Sequence, residues 1–392
     1  MIRTFKVQLC PNNKQMTKFW QNASISRFSY NWALGYQKQN HRSGGKFLSD
    51  CELRRILTQL KHTDAYSWLN KYSNNITKQA IKDACIAYKN FFSGRSKFPK
   101  FKSKRKSKPS FFMDPVKIKF TETHVKLEKI TDSRKSNRQK SNWIRLAEHG
   151  RIPVGAHYYN PRITFDGLHW WISVGVEVPD SEEVPTGEGI GIDVGIKSLA
   201  VCSDGEVYSN INKSKKMKRL ERKKRRLQRK ISRKYLKNMK GERYCKTRNI
   251  AKAEKQLLRV SRKLTNVRHN HLHQVTTDIV NRKPKFIVME DLNVTGMVKN
   301  RHLAKAVQEQ CFYELYRQIQ YKSRWHNIEF ITADRFYPSS KMCSCCGHIK
   351  KDLKLSDRTY ICHECGNQID RDFQAAINLR NCALTAKSNI VA

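Results

Sequence analysis

The chain has 392 residues and a formal net charge of +45 at pH 7, and 39% of its residues are hydrophobic. This length predicts two or three domains. No apolar run reaches the roughly 18 residues of a membrane-spanning helix, and the start, MIRTFKVQLCPNN, lacks the apolar segment of a signal peptide. We therefore expect an intracellular protein with no membrane partner. So much positive charge destabilises a compact chain unless a polyanion offsets it, which favours a nucleic-acid partner. On charge alone, a ribosomal or packaging protein is an equal alternative.

The N-terminal part of the sequence predicts a small sheet with helices inserted into it. FKVQL alternates as in a half-buried strand, which Pro11 ends. Helical periodicity then extends from about residue 13 to 95. Strand patterns return between 115 and 180, where VKIKF predicts Val116, Ile118 and Phe120 on one face. We interpret residues 1–12 and 112–186 as a β-barrel.

The predicted helical insert and a basic linker occupy residues 13–111. In the linker, KFPKFKSKRKSKPSF, two prolines resist regular structure, and aromatic residues are interleaved with the charges. This pattern favours contact with a nucleic-acid backbone over a solvated linker. The candidate contacts are Lys100, Lys102, Lys104 and Arg105.

An acidic, turn-rich stretch, PDSEEVPTGEG, predicts a domain boundary before GIGIDVGIKSLAVCSDGEVY. That second stretch predicts two strands and a hairpin turn at Asp204-Gly205. Gly191 and Gly195 flank Asp193, and we expect these glycines to let a phosphate backbone approach closely. The stretch is not a dinucleotide fingerprint, because Val194 occupies the place of the third glycine.

A very basic segment follows, in which 16 of the 28 residues from Lys213 to Lys240 are lysine or arginine. Apolar residues recur at helical spacing in this segment and the next, which predicts a helical hairpin over about residues 213–275. Like charges repel, so a polyanion along this face is favoured over simple solvation. The candidate contacts are Arg222, Arg225, Arg226 and Arg229.

Three acids lie at the ends of predicted apolar elements. Asp193 ends GIGID, Glu290 ends KFIVME, and Asp372 lies in the first turn of the predicted helix DRDFQAAINL. Buried acids are costly unless a cation neutralises them. Mg²⁺ prefers oxygen ligands, and two such ions can stabilise both oxygens that exchange in phosphodiester cleavage. We therefore predict a catalytic magnesium site, and we interpret Asp291 and Asp370 as capping or turn residues.

Four cysteines have the spacing of a structural zinc site. CSCCG and CHECG place Cys343, Cys346, Cys362 and Cys365 in two Cys-x2-Cys-Gly motifs. Cys345 could replace a neighbour, but the symmetry of the motifs favours the other four. We expect the remaining cysteines to be free thiols.

The motifs GIDVGIKSLAV, IVMEDLNVTGM, FYPSSKMCSCCG and YICHECGNQIDRDFQAAINL occur in this order. Together they resemble the RuvC-like nuclease and zinc ribbon of TnpB, a transposon-encoded nuclease family related to the type V CRISPR effectors. MIRTFKVQLCPNNKQ, RFSYNWAL, AYKNFF and FPKFKSK also fit, so the resemblance covers nearly the whole chain.

The resemblance implies an RNA-guided DNA endonuclease of a transposable element. Its guide RNA would come from the transposon end, and it would cut double-stranded target DNA beside a short adjacent motif. The implied fold is α+β and multidomain. It has an RNase H-like nuclease at 187–335 and 369–392, a zinc ribbon at 336–368, and an N-terminal wedge-type barrel with a helical recognition insert. Asp193, Glu290 and Asp372 match the family's three acids.

The resemblance also implies that residues 74–79 contact the motif beside the target. The alternative is that these residues are ordinary helix surface with no such role. Asn74, Asn75, Lys78 and Gln79 are the candidates, because amide side chains can read base edges. One departure from the family pattern concerns the third acid, where Gln374 replaces the usual asparagine. If this amide orients a metal ligand, the change lowers activity.

Two other functions are compatible with these motifs. One is a nuclease-impaired, RNA-guided DNA-binding repressor, and the other is a conventional RNase H-like transposase that needs no RNA. Under each of them we expect a monomer in a bacterial cytoplasm, acting at the nucleoid.

Overall fold

The structure is a computed structural model that describes residues 1–130, 142–354 and 357–391. The chain divides into two compact units, Met1–Pro179 and Asp180–Ala392. Both combine a sheet with helices, so the fold is α+β. Within the described ranges, no helix is long and apolar enough to cross a bilayer.

In the described part of the first unit, seven strands form one antiparallel sheet. They are β1 (Ile2–Cys10), β2 (Ser110–Phe112), β3 (Lys119–Phe120), β4 (His124–Lys126), β5 (Trp143–Leu146), β6 (Tyr158–Phe165) and β7 (Trp170–Glu177). Their order across the sheet is β2-β6-β7-β1-β5-β4-β3. The first strand in the chain is thus a central strand of the sheet. It pairs with β5 and β7, which are distant from it in the sequence.

Three helices lie between β1 and β2 in the chain: α1 (Asn13–Arg42), α2 (Asp50–Leu60) and α3 (Asn74–Phe92). The first two begin at capping boxes, in which Asn12 pairs with Gln15 and Ser49 pairs with Glu52. Their apolar faces share one core with the sheet, including Val7 and Ile172 from the strands and Phe19, Leu53 and Ile81 from the helices.

One predicted strand face is wrong. Ile118 and Phe120 are buried as expected, but Val116 is 84% exposed. The chain turns here, because Asp114 accepts hydrogen bonds from the backbone amides of Val116, Lys117 and Ile118. Strand β3 therefore begins only at Lys119. The alternating pattern of VKIKF starts three residues before the strand does.

The second unit contains a longer series of elements. In chain order these are β8 (Ile190–Val194), β9 (Ser198–Cys202), β10 (Val207–Ser209), α4 (Lys215–Lys237), β11 (Met239–Lys240), β12 (Arg243–Tyr244), α5 (Arg248–Asn281), β13 (Phe286–Glu290), α6 (Val294–Lys299), α7 (Ala304–Gln310), α8 (Phe312–Trp325), β14 (Glu329–Ala333), β15 (Thr359–Ile361), β16 (Gln368–Asp370) and α9 (Arg371–Val391). The main sheet has the order β10-β9-β8-β13-β14. The predicted turn at Asp204-Gly205 is confirmed, since β9 and β10 pair on either side of it.

Helices cover both faces of this sheet, which explains why β13 is a continuous apolar run. On one face, Ile192, Ile287 and Met289 pack with residues of α5 and α8. On the other, Phe286 and Val288 pack with Leu379 and Ala383 of α9. Because successive side chains of a strand alternate in direction, each residue of β8 and β13 can be assigned to one face.

The predicted basic hairpin is confirmed as α4 and α5. Met217 and Leu220 of α4 pack against Val260 and Leu264 of α5 to form the apolar seam. Most of the remaining α4 side chains are exposed lysines and arginines. The two helices therefore meet along an apolar seam, with polar contacts such as Tyr235 to Glu254 and Arg268 to Glu221, and the basic surface of α4 is left open.

Candidate active site and metal centres

Strand alternation directs two of the three predicted acids to the same face of the second sheet. Strands β8 and β13 are parallel neighbours, with Ile192 opposite Met289. The next residue is Asp193 in β8 and Glu290 in β13, and both still belong to their strands. Since Ile192 and Met289 face α5 and α8, the next residue of each strand points toward the α9 face. The sheet thus places Asp193 beside Glu290.

The third acid is brought to this face by a close helix–strand contact at Gly191. A Cβ atom built at Gly191 would lie 2.1 Å from the carbonyl oxygen of Ala376 and 2.5 Å from the backbone nitrogen of Arg380. Glycine is required here because the α9 backbone occupies the space of a side chain. The expectation that Gly191 admits a phosphate backbone is therefore wrong, since its neighbour is a helix of the same chain.

Asp372 lies in the first turn of α9, one turn before Ala376. Asp370 precedes it, and its Oδ1 accepts hydrogen bonds from the backbone amides of Asp372 and Phe373, at 2.9 and 3.1 Å. This confirms the structural interpretation of Asp370. Asp291 is not a cap: it pairs with Arg335, and Asn293 caps α6 instead.

Asp193, Glu290 and Asp372 line one open cavity of about 730 Å³, here called the acidic cavity. Basic residues line it as well: Lys197, Lys341, Arg358 and Arg371. A cavity lined by both acids and cations can hold both a metal ion and a phosphate group.

The electrostatics of the acidic cavity favour a bound cation. Burial, followed by the charges of Asp372 and Glu290, raises the pKa of Asp193 to about 8. Burial and the neighbouring Asp291 raise the pKa of Glu290. Both shifts disfavour the ionised form, and a divalent cation would reverse that preference. Carboxylate oxygens are also the donors that Mg²⁺ prefers, so the residues fit this ion.

Asp372 has a competing partner in this structure. Arg371 donates from Nη2 and Nε to its Oδ1, at 2.9 and 3.2 Å, and Arg358 lies 4.0 Å away. The three carboxylates do not close into a compact ligand set. Among the described residues, the only such set with ligand atoms within 4.8 Å of one another is a group of cysteines.

That group consists of Cys343, Cys346, Cys362 and Cys365, the four predicted residues. Glycines with positive φ follow each pair, at Gly347 (76°) and Gly366 (72°), and allow the tight turns. Burial alone would raise the pKa of Cys343, but backbone amides of Cys346 and Cys345 donate to its sulfur and lower it to about 6. Zinc binds thiolates, so a set of four cysteine sulfurs that includes the readily ionised Cys343 is suited to a structural zinc ion. Cys345 is outside the set.

The cysteine segment is tied directly to the helix that carries Asp372. Asn378 of α9 donates from Nδ2 to the carbonyl oxygens of Ser339 and Met342, each at 2.7 Å. The backbone amide of Arg371 donates to the carbonyl of Arg358 at 2.8 Å. Sequence reasoning missed Asn378, although two polar residues one turn apart, Gln374 and Asn378, on an otherwise apolar helical face are a recognisable signal.

Gln374, the residue that departs from the family pattern, is fully buried on α9. Neither its Oε1 nor its Nε2 has a hydrogen-bond partner among the described residues. A buried amide without partners is destabilising. The longer side chain is accommodated, but its amide contributes no interaction that positions Asp372.

The predicted motif-reading residues on α3 are occupied by contacts within the first unit. Asn74 accepts from Lys61, Asn75 donates to Asp114 at 2.7 Å, and Gln79 donates to Asp83 at 2.8 Å. Lys78 is exposed. Each of these three amides therefore already makes a contact within the protein through one of its polar atoms.

The basic candidates fall into two groups. Lys100, Lys104 and Arg105 are exposed in the linker, whereas the ammonium of Lys102 lies 3.6 Å from the centre of the Tyr30 ring. On α4, the four predicted arginines are exposed: Arg222, Arg225, Arg226 and Arg229. Arg222 and Arg226 also line an open groove between α4 and α5.

Three family models match the chain. The model described as "Probable transposase" matches residues 172–301, "Cas12f1-like, TNB domain" matches 312–379, and "Helix-turn-helix domain" matches 1–46. In this structure the last range contains β1 and the single helix α1 rather than two helices.

Curated relatives match over nearly the whole chain. A "Putative RNA-guided DNA endonuclease" of Streptomyces pristinaespiralis is 30% identical over 387 residues, which are 98% of this chain and 90% of the relative. "Putative RNA-guided DNA endonuclease InsQ" of Escherichia coli (strain K12) is 28% identical, covering 96% of this chain and 91% of the relative.

Solved structures support the same α+β fold. The chain in a cryo-EM structure of a Cas12f1-sgRNA-target DNA complex matches with a TM-score of 0.58 and 16% identity, over 94% of this chain and 82% of that one. A structure of the mini-RNA-guided endonuclease CRISPR-Cas phi3 matches with a TM-score of 0.53 and 10% identity, over 98% and 92%.

Proposed function

We propose that this chain, which belongs to the TnpB family of transposon-encoded RNA-guided DNA endonucleases, cleaves target DNA by metal-dependent phosphodiester hydrolysis in the acidic cavity. The observation that carries the proposal is the convergence of Asp193, Glu290 and Asp372 on that cavity. The pKa of Asp193, raised to about 8 by burial and the other two acids, supports a role for a cation.

In this proposal, Asp193, Glu290 and Asp372 would hold Mg²⁺ through their carboxylate oxygens, two ions in all. Magnesium would supply Lewis-acid stabilisation of the oxygens that exchange at phosphorus. Lys197 and Lys341, which line the same cavity, attract the scissile phosphate and orient it over the acids. Gly191 keeps α9 against the sheet, so that the third acid stays beside the other two.

The proposed partners are a guide RNA from the transposon end and double-stranded target DNA. The names of the full-length relatives and the net charge of +45 support both. Exposed arginines of α4 and exposed linker residues Lys100, Lys104 and Arg105 are proposed contacts to the phosphate backbones. We propose that Asn74, Asn75, Lys78 and Gln79 read the motif beside the target. A bacterial cytoplasm fits the bacterial sources of the relatives.

The proposed domain division is close to that of the two units, but it places the boundary after residue 186 instead of after Pro179. The RNase H-like nuclease comprises 187–335 and 369–392, with a zinc ribbon at 336–368. A wedge-type barrel comprises 1–12 and 112–186, and the recognition insert with its linker comprises 13–111. The seven-stranded sheet supports the proposed wedge-type domain, and the three helices between β1 and β2 support the proposed recognition insert.

One observation favours a second candidate, the nuclease-impaired repressor. Gln374 replaces the family's asparagine on α9, and its buried amide makes no hydrogen bond among the described residues. If an amide at this position must hold the third acid in place, cleavage is lost while RNA and DNA binding remain. Three intact acids favour the nuclease.

The test of the proposed function is purification of the chain from its native host, with sequencing of the RNA that it carries. We expect one discrete RNA that includes the transposon end. Protein loaded with a retargeted copy of that RNA should cut a plasmid that carries the matching site and the adjacent motif, in Mg²⁺ but not in EDTA. Cleavage without RNA would support a conventional transposase, and RNA-dependent binding without cleavage would support the repressor.

The proposed zinc ribbon has an internal control in Cys345. Replacement of Cys362 by serine should lower the bound zinc from one ion per chain to a small fraction, because a hydroxyl is a poor zinc ligand. It should also lower cleavage by about tenfold or more, because the cysteine segment is hydrogen-bonded to α9 and a misplacement of about 1 Å can cost roughly 10²-fold. Cys345→Ser should retain both zinc and activity. Elemental analysis with a cleavage assay decides the outcome, and equal loss in the two variants would contradict the assignment.

A further inference from the structure

A cluster of aromatic side chains in the first unit lies outside the site described above. It comprises Phe47 from the segment between α1 and α2, Tyr88, Phe91 and Phe92 from the end of α3, and Phe98 from the linker. Sequence reasoning singled out the linker aromatics but not this assembly, because Phe47 is distant from them in the chain.

The cluster is built around one buried ring. Tyr88 is buried, and its hydroxyl donates to the carbonyl of Leu34 at 3.4 Å. Phe92 stacks on it with ring centres 6.2 Å apart and an angle of 22° between the planes. Phe47 and Phe98 contact the same ring edge-on, at 5.6 and 5.7 Å. The outer rings therefore rest on a fixed base and hold a defined arrangement.

These outer rings are largely exposed. Phe92 is 66% exposed, Phe98 is 50% exposed and Phe47 is 41% exposed. Single exposed apolar residues are ordinary, but a group of adjoining exposed rings indicates a site of interaction with another molecule.

The charge around the cluster identifies the chemistry of the occupant. Residues 84–113 contain nine lysines and arginines and no acid. Lys46, Lys89 and Lys97, each within three residues of a cluster ring, are exposed. An apolar protein partner does not require such a basic surround, whereas a nucleic-acid strand does. Exposed aromatic faces beside cations are the features on which unpaired bases stack. A fully paired duplex presents no free base faces along its length.

We propose that this aromatic cluster is a stacking platform for unpaired bases of a single-stranded nucleic-acid segment. Phe92 and Phe98 supply the stacking faces, and the surrounding lysines hold the phosphates on either side. The inference deepens the proposed function, because it adds an unpaired strand to the ligands of the first unit, but it concerns binding and not cleavage.

The test measures binding in EDTA, where cleavage makes no contribution, with the full chain freed of bound nucleic acid. The probes are labelled oligo(dT) and oligo(U) of about 20 nucleotides, longer than the roughly 4–16 nucleotides of common single-strand sites. A third probe of the same length has abasic sugars and the same phosphates. Comparison of dT with U distinguishes a DNA strand from an RNA strand as the occupant.

For the double variant Phe92→Ala/Phe98→Ala, we expect affinity for the better oligonucleotide to fall about tenfold or more, the loss of one to two base stacks. Affinity for the abasic probe should stay within about twofold, and the salt dependence should not change, because phosphate contacts are retained. The double variant Phe92→Trp/Phe98→Trp should bind as the wild type does. Tyr313→Ala, which removes an exposed ring of the second unit, is the matched control.

The proposal is overturned if the double alanine variant loses no affinity, or if it loses as much for the abasic probe. It is also overturned if the wild-type chain self-associates in sedimentation and the variant does not, since the rings would then form a protein interface. The single variant Phe92→Ala covers the case in which the double variant misfolds. Loss of cleavage in any variant leaves this readout unaffected, so the two proposals fail separately.

Discussion

Replacement of Asp193 by alanine is expected to abolish DNA cleavage while RNA and target binding continue. Asp193 is the most strongly perturbed acid of the acidic cavity, and its carboxylate faces both other acids. A catalytic metal supplies several kcal/mol of transition-state stabilisation, and each 1.36 kcal/mol is a factor of ten, so we expect a loss on the order of 10³-fold or more. Cleavage of a labelled target at saturating RNA-loaded protein measures it.

Asp204→Ala is the matched control for Asp193→Ala. Asp204 is also an acid of the second unit, but it lies in the β9–β10 turn, where it pairs with Arg282. This variant should cut at close to the wild-type rate. Gel-shift assays with each variant should give wild-type affinity for RNA and for target DNA. Cleavage by Asp193→Ala at the wild-type rate would refute the proposed catalytic site.

Replacement of Gly191 by alanine is expected to have the second large effect, although it adds only one methyl group. The added Cβ would lie 2.1 Å from the carbonyl oxygen of Ala376, and that atom belongs to a helix backbone that no rotamer change can move. Overpacking costs roughly 1–3 kcal/mol, which in a unit of this size lowers Tm by about 2–12 °C. Displacement of α9 by about 1 Å should also lower cleavage about 10²-fold.

The control for Gly191→Ala is Gly35→Ala in α1. There the nearest atom to the added methyl is a ring carbon of Phe101 at 4.0 Å, and alanine favours a helix over glycine. Its Tm should be unchanged or slightly raised. Differential scanning calorimetry and the cleavage assay on both variants check the prediction. A wild-type Tm and rate for Gly191→Ala would mean that α9 does not depend on this contact.

Local sequence patterns predicted those parts of the site in which chemistry and spacing coincide. The apolar run before Glu290 predicted a buried strand, and Cys343 to Cys365 have the spacing of a zinc site. The role of Gly191 could not be predicted, because it depends on which backbone packs against it. The same holds for Arg371, whose pairing with Asp372 depends on the first turn of α9. The error at Val116 has a local cause, since Asp114 holds a turn where the alternation continues.

The direct connection between the cysteine segment and α9 limits how far this protein could be shortened. The cysteine segment is a separate motif in the sequence, which makes it a candidate for deletion in a shortened protein. Here, deletion would leave Asn378 without its two carbonyl acceptors and the first amide of α9 without the carbonyl of Arg358. A trimmed version would therefore need a designed replacement that fixes the start of this helix, whereas insertions in the exposed loops of the ribbon should be tolerated.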